Sequence, residues 1–250
     1  MRIGVVSDVH ANLEALEAVL SHQDRQAPDM LVCLGDFVGY GPDPNACVER
    51  LRPLLRAAVM GNHDQAALGD SPTEHFNLFA QEAIVWTRQV LEDGTRAFLS
   101  ALPQRADLTD NPTALPGLLL VHGSLRRPLD EYIVDGRIAR ASFLAASFEI
   151  ALVGHTHHPA IFVESKRRVS TQGLLPEVPR VLTPGARYII NPGSVGQPRD
   201  DDPRAAYMIL DTEGPTATLF RVPYPIEETQ RKMEAAGLPV PLIERLALGR

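Results

Sequence analysis

The chain has 250 residues, a net charge of −7 and an apolar fraction of 44%. That length suits one α/β domain with a sizeable core, or at most two small ones. The acidic balance and the absence of a long Lys/Arg run disfavour nucleic acid as a partner. No apolar run approaches the roughly 20 residues that span a bilayer, so no membrane partner is expected. The opening run, residues 2–6, is strand-like and carries no apolar leader, which predicts a cytoplasmic protein. Cys33 and Cys47 both sit in apolar patterns and read as buried thiols. The short basic group Lys166-Arg167-Arg168 reads as a solvated hairpin tip.

In chain order, residues 3–7 form an apolar strand. A helix follows from Asn12, a fitting N-cap, with Leu13, Leu16, Val19 and Leu20 on one face. Residues 30–34 are a second strand. Asp43-Pro44 then reads as an N-cap with proline in the first helical position. Residues 57–60 are a third strand, and the alternation points to parallel βαβ units. Residues 71–103 read as mostly helical, anchored by Phe76, Phe79, Ile84 and Trp86, and 102–116 as loop. Strands are expected at 118–121 and 150–153, with a helix at 139–148 between them. The strands expected at 160–164, 188–191, 206–210 and 217–222 are joined by short turns, which predicts a second, more antiparallel sheet. Residues 226–250 read as a helical tail, broken at 237–241. One domain over 1–250 is the expected organisation, with 71–116 as a mostly helical insertion.

Five polar clusters each follow an apolar run: Asp8-Val9-His10, Gly35-Asp36, Gly61-Asn62-His63-Asp64, His122-Gly123 and Gly154-His155-Thr156-His157. In open α/β sheets the carboxyl ends of strands are where ligands bind. Asp8, His10, Asp36, Asn62, His122, His155 and His157 therefore converge as candidate metal ligands, with His63 left over. The two x-spaced pairs, on extended segments, would each project to one side. Carboxylate, carboxamide and imidazole without thiolate favour Mn or Fe, with Zn or Ni as further candidates, over Ca²⁺.

Taken together, D-x-H, G-D, G-N-H-D, H-G and G-H-T-H resemble the calcineurin-like metallophosphoesterases, in particular their small bacterial and archaeal phosphodiesterase-like branch. The run Asn191-Pro192-Gly193-Ser194 extends the resemblance. It implies a four-layer α/β/β/α sandwich of two mixed sheets flanked by helices. It implies two divalent metal ions: Asp8, His10, Asp36 and His157 on the first, Asp36, Asn62, His122 and His155 on the second. It further implies hydrolysis of a small phosphate ester, a phosphodiester first, by a hydroxide held between the metals. Dinucleoside polyphosphate or nucleotide phosphatase activity is the alternative, and a non-catalytic binding scaffold is the alternative of another class. By the same resemblance His63 is the catalytic histidine, with Asp64 either orienting it or serving as a turn residue. Asn12, Tyr40, Arg126 and Arg199 are candidate substrate contacts, each with a structural reading beside it: helix cap, tight turn or surface residue. A homo-oligomer is left open.

Overall fold

The computed structural model describes residues 1–69, 76–108 and 117–250. The elements run β1 (Arg2–Val6), α1 (Leu13–Gln26), β2 (Met30–Cys33), α2 (Pro44–Leu51), β3 (Leu55–Ala58), α3 (Asn62–Leu68), α4 (Leu78–Val90) and α5 (Asp93–Ser100). They continue with β4 (Arg105–Asp107), β5 (Leu118–Val121), α6 (Gly136–Ala145), β6 (Ile150–Leu152), β7 (Ala160–Ser165), β8 (Arg168–Gln172) and β9 (Arg180–Val181). The chain closes with β10 (Arg187–Asn191), β11 (Ala205–Asp211), β12 (Thr216–Val222), α7 (Ile226–Ala235), α8 (Val240–Glu244) and a 3-10 turn.

Among the described residues the strands form two six-stranded sheets, ordered β3-β2-β1-β11-β12-β9 and β4-β5-β6-β10-β7-β8. Each has a parallel array, β1–β2–β3 in one and β5–β6–β10 in the other. The side-chain alternation of these strands separates three apolar layers. Ile3, Val5, Leu118, Leu120, Ile150 and Leu152 meet between the sheets. Leu119, Val121 and Ala151 face outward onto Phe143 of α6. Val6 and Cys33 face the other way, onto Leu16 and Val19 of α1 and Val48 of α2. Burial on both faces explains why these strands read as unbroken apolar runs. The result is the four-layer α/β/β/α sandwich.

Among the described residues no separate antiparallel sheet forms. β11 pairs antiparallel with β1, Val5 opposite Met208, and β7 pairs antiparallel with β10. Each parallel array would otherwise present an unpaired edge, and the later strands cover one edge of each. Within the segment read as loop, β4 pairs with β5, Arg105 opposite Val121. The remainder of that loop, and the start of the expected helical insertion, lie outside the described residues. The helical stretch is two helices broken at Leu91-Glu92, and Phe79 is exposed where it was expected as an anchor. Lys166 and Arg167 have φ of 50° and 62°, the left-handed pair of a tight hairpin. Both cysteines are buried and free. No helix among the described residues is long and apolar enough to cross a membrane.

Leu120 is fully buried between the sheets. Leu120→Ala is expected to cost about 2–5 kcal/mol in urea unfolding. A loss below ~1 kcal/mol would mean that this layer repacks.

Candidate metal centre

The parallel strands of both sheets end at the same edge. Beyond it the loops continue to pair. Asp8 N–H donates to Gly35 O at 3.0 Å, and His10 N–H to Asp36 O at 2.9 Å. Gly154 N–H donates to His122 O at 2.7 Å, and Gly196 N–H to Asp8 O at 2.9 Å. These bonds bring clusters far apart in sequence into one buried site.

The backbone there is not extended, contrary to the reading of the x-spaced pairs. Asp8, His10, His155 and His157 have φ of 54°, 49°, 67° and 59°, and Asp36 has 54°. Each left-handed residue costs on the order of 1 kcal/mol, and the inter-loop hydrogen bonds hold it in place. The turns reverse the chain within two or three residues, so the side chains gather at the sheet edge. Gly61 serves the same crowding: a Cβ there would fall 2.0 Å from Asp36 Oδ1.

Two groups of buried side chains each place one potential donor atom per residue within 4.8 Å of the others: Asp8, His10, Asp36 and His157, and Asp36, His122 and His155. Asp36 belongs to both. Its Oδ2 lies 3.5 Å from His10 Nε2 and 3.2 Å from His122 Nε2. Asn62 Oδ1 joins the second group, 3.1 Å from His122 Nε2. Asp8 Oδ1 is 3.3 Å from His157 Nε2, while its carboxylate accepts the His155 N–H at 3.2 Å.

The proton positions identify what these groups fit. His10 Nδ1 donates to Val38 O at 3.1 Å, His122 Nδ1 to Leu34 O at 2.8 Å, and His157 Nδ1 to Gln197 O at 2.6 Å. A carbonyl only accepts, so in the neutral rings the Nε2 atoms carry lone pairs. His10 Nε2 and His157 Nε2 then face each other at 3.1 Å with no proton between them. His122 Nε2 lies 3.1 Å from Asn62 Oδ1 and 3.1 Å from His155 Nδ1. Among the described residues Asp36 Oδ2 is buried without a hydrogen bond. Acceptors converging on acceptors fit cations. Backbone carbonyls behind metal-ligating imidazoles are the usual means of fixing tautomer and ring orientation. Burial lowers His10, His155 and His157 from the ordinary imidazole range. At His122 burial also acts downward, but the Asp36 and Asp8 carboxylates and the Leu34 carbonyl together outweigh it and the ring is pushed up to about 9. A proton can thus stand there in place of a cation.

His63 is buried beside the first group. Its ring centroid is 4.8 Å from His10, 4.4 Å from Tyr40 and 4.7 Å from Phe76. Its Nδ1 has no hydrogen-bond partner among the described residues. Asp64 does not orient that ring. Its oxygens accept the Val38 N–H at 3.1 Å and the Gly61 N–H at 3.0 Å, so it caps α3 and pins two ligand loops. Asn12 is also structural: Oδ1 caps α1 at Ala15 N, and Nδ2 donates to Gly196 O at 2.9 Å. Arg126 pairs with Glu131 rather than facing the centre. Tyr40 and Arg199 do line a cavity of about 330 Å³ that opens on Asn62, His63 and His155. The Arg199 guanidinium lies over the Tyr40 ring, 5.6 Å from its centroid.

Three features escape the sequence reading. Tyr132 stacks on His155, centroids 3.9 Å apart and planes at 7°. The C-terminal tail buries Leu242, Ile243 and Leu246 against Tyr40. Asn191 donates through Nδ2 to Gly154 O at 2.6 Å and Thr156 Oγ1 at 3.0 Å, locking the turn that carries both histidines. Asn191→Ala is therefore expected to weaken metal affinity about 10–100-fold, the usual size of a supporting-shell loss. Calorimetric Mn²⁺ titration reads it, and unchanged affinity would remove Asn191 from the centre's support.

A two-sheet α/β sandwich with carboxylates and imidazoles gathered at its strand ends defines a domain built to hold metal ions. The sequence comparisons specify which. The calcineurin-like phosphoesterase superfamily domain matches residues 1–214. An uncharacterised protein of Methanocaldococcus jannaschii is 35% identical over 249 residues, 99% of this chain and 98% of that protein. A metallophosphoesterase from Sphaerobacter thermophilus, known from its crystal structure, is 43% identical with a TM-score of 0.88, covering 100% of this chain and 99% of that one. The phosphodiesterase YfcE of Escherichia coli is 26% identical over 223 residues, 85% of this chain and 89% of YfcE. The chain belongs to the calcineurin-like phosphoesterase superfamily, and is a phosphoric ester hydrolase of that metal-dependent family.

Proposed function

We propose that this chain hydrolyses small phosphodiesters with two divalent cations, Mn or Fe, that share Asp36. The observation that carries the reading is Asp36 Oδ2, buried without a hydrogen bond among the described residues and within 3.5 Å of an imidazole nitrogen from each group. A carboxylate has two oxygens and suits two cations roughly 3.5–4 Å apart. Asp8, His10, Asp36 and His157 hold one, and Asp36, Asn62, His122 and His155 the other. When bound, such cations neutralise phosphate oxygens and lower the pKa of a water towards neutrality.

The residues around them supply the rest. Burial pushes His63 down to about 4, so the ring meets the substrate neutral, with one ring N–H to donate. A phosphate's negative charge beside it draws that pKa upward, so the ring can take up a second proton from solvent, give it to the leaving oxygen and return to the neutral form. Arg199, on the cavity wall, is placed to neutralise an ester oxygen. The naming of YfcE as a phosphodiesterase supports diesters as first choice. Bis-para-nitrophenyl phosphate with added Mn²⁺ is expected to be turned over, and the metal-stripped protein to be inactive. Equal turnover with and without metal would overturn the reading.

A further inference from the structure

The cavity beside the centre has walls of uneven chemistry. Tyr132 and Phe76 present rings, while Gln65, Asn77 and Arg199 present nitrogen donors. A phosphoryl group held at the strand ends projects its ester substituent into this space. At about 330 Å³ the cavity sits at the lower end of the roughly 300–1,000 Å³ range of small-molecule sites. That size suits one ring system rather than a chain of them.

Tyr132 is the feature left unexplained by metal binding. Its ring lies flat on His155, yet the residue is 44% exposed. Among the described residues no second ring stacks on Tyr132, which leaves ring surface uncovered. An aromatic ring pinned on a rigid support loses little freedom when another ring stacks on it, and base–aromatic stacking needs only a π-face. Phe76, held perpendicular to His63 with planes at 89°, adds a second ring to the same cavity.

We infer that the cavity binds a planar aromatic substituent on the phosphoester, stacked on the uncovered ring surface of Tyr132. The inference rests on the phosphoesterase reading for the position of the phosphoryl group. The probes are methylphosphonate and phenylphosphonate, whose C–P bonds resist hydrolysis, titrated calorimetrically into Mn²⁺-incubated protein. Phenylphosphonate is expected to bind about ten-fold more tightly, within the span of one ring stack. Tyr132→Ala should abolish that preference while leaving methylphosphonate affinity in place, and Tyr132→Phe should keep it. A nucleoside 5′-phosphonate in parallel separates a nucleobase from a simple aryl group as the favoured ring. Equal binding of the first two probes, or binding of neither, overturns the inference. So does an equal loss for both in Tyr132→Ala, which would confine Tyr132 to supporting His155. Turnover of bis-para-nitrophenyl phosphate without ring preference would sink this inference and leave the phosphoesterase reading standing. Ring preference without turnover of that diester would leave the aromatic site standing and overturn the choice of diesters.

Discussion

Replacing Asp36 with Asn is expected to reduce bound metal from two ions per chain to at most one and to abolish turnover. Asp36 is the one side chain that belongs to both ligand groups. A carboxamide has one oxygen and no charge, so it cannot serve two cations at once. The backbone argues that the loss is chemical rather than structural. Asp36 Oδ1 accepts the His63 N–H at 2.8 Å, and an Asn oxygen can keep that bond. Its main-chain carbonyl still accepts from His10. Metal analysis beside a circular dichroism melt separates the two effects. Two ions retained at full occupancy would contradict the shared-ligand account.

Replacing His63 with Ala is expected to act differently. No ligand is removed, so metal content should stay at the wild-type level. Turnover should fall by about 10²–10⁴-fold, the usual worth of general acid catalysis. The loss should be smallest for esters of acidic phenols, whose leaving oxygens need least protonation, and largest for alkyl esters. The ring is buried among His10, Tyr40 and Phe76, so a truncation leaves a cavity. His63→Gln fills that space and is the control. Turnover equal to wild type in both variants would remove His63 from the mechanism.

The candidate ligands were legible because each follows a parallel strand, buried in all cases but the half-exposed β3, and a parallel strand has a fixed polarity that delivers its next residues to one edge. Burial on both faces made β1, β2 and β5 stand out as short apolar runs. What the sequence hid was how the ligands turn inward. Left-handed φ at Asp8, His10 and His155 is imposed by hydrogen bonds between loops distant in sequence, and nothing local announces it. Asn12 and Asp64 each carried a cap or turn reading beside the substrate-binding or catalytic one, and their partners, Ala15 N and Gly61 N, favour the cap. The later strands read correctly as strands, but their sheets did not, since antiparallel pairing to β1 or β10 depends on which edge is left open. Tyr132 carried one signal, an aromatic residue within ten positions of His122, and that alone does not distinguish a ring on a ligand from a surface ring. The tail's contact with Tyr40 carried none, because an amphipathic helix shows its apolar face without naming what it covers.

The central claim is that two cations sit at the strand ends with Asp36 between them. Anomalous diffraction from crystals grown with Mn²⁺ tests it directly. Two peaks roughly 3.5–4 Å apart, both within bonding distance of the Asp36 carboxylate, are expected. A single peak, or two peaks that do not share Asp36, would contradict it.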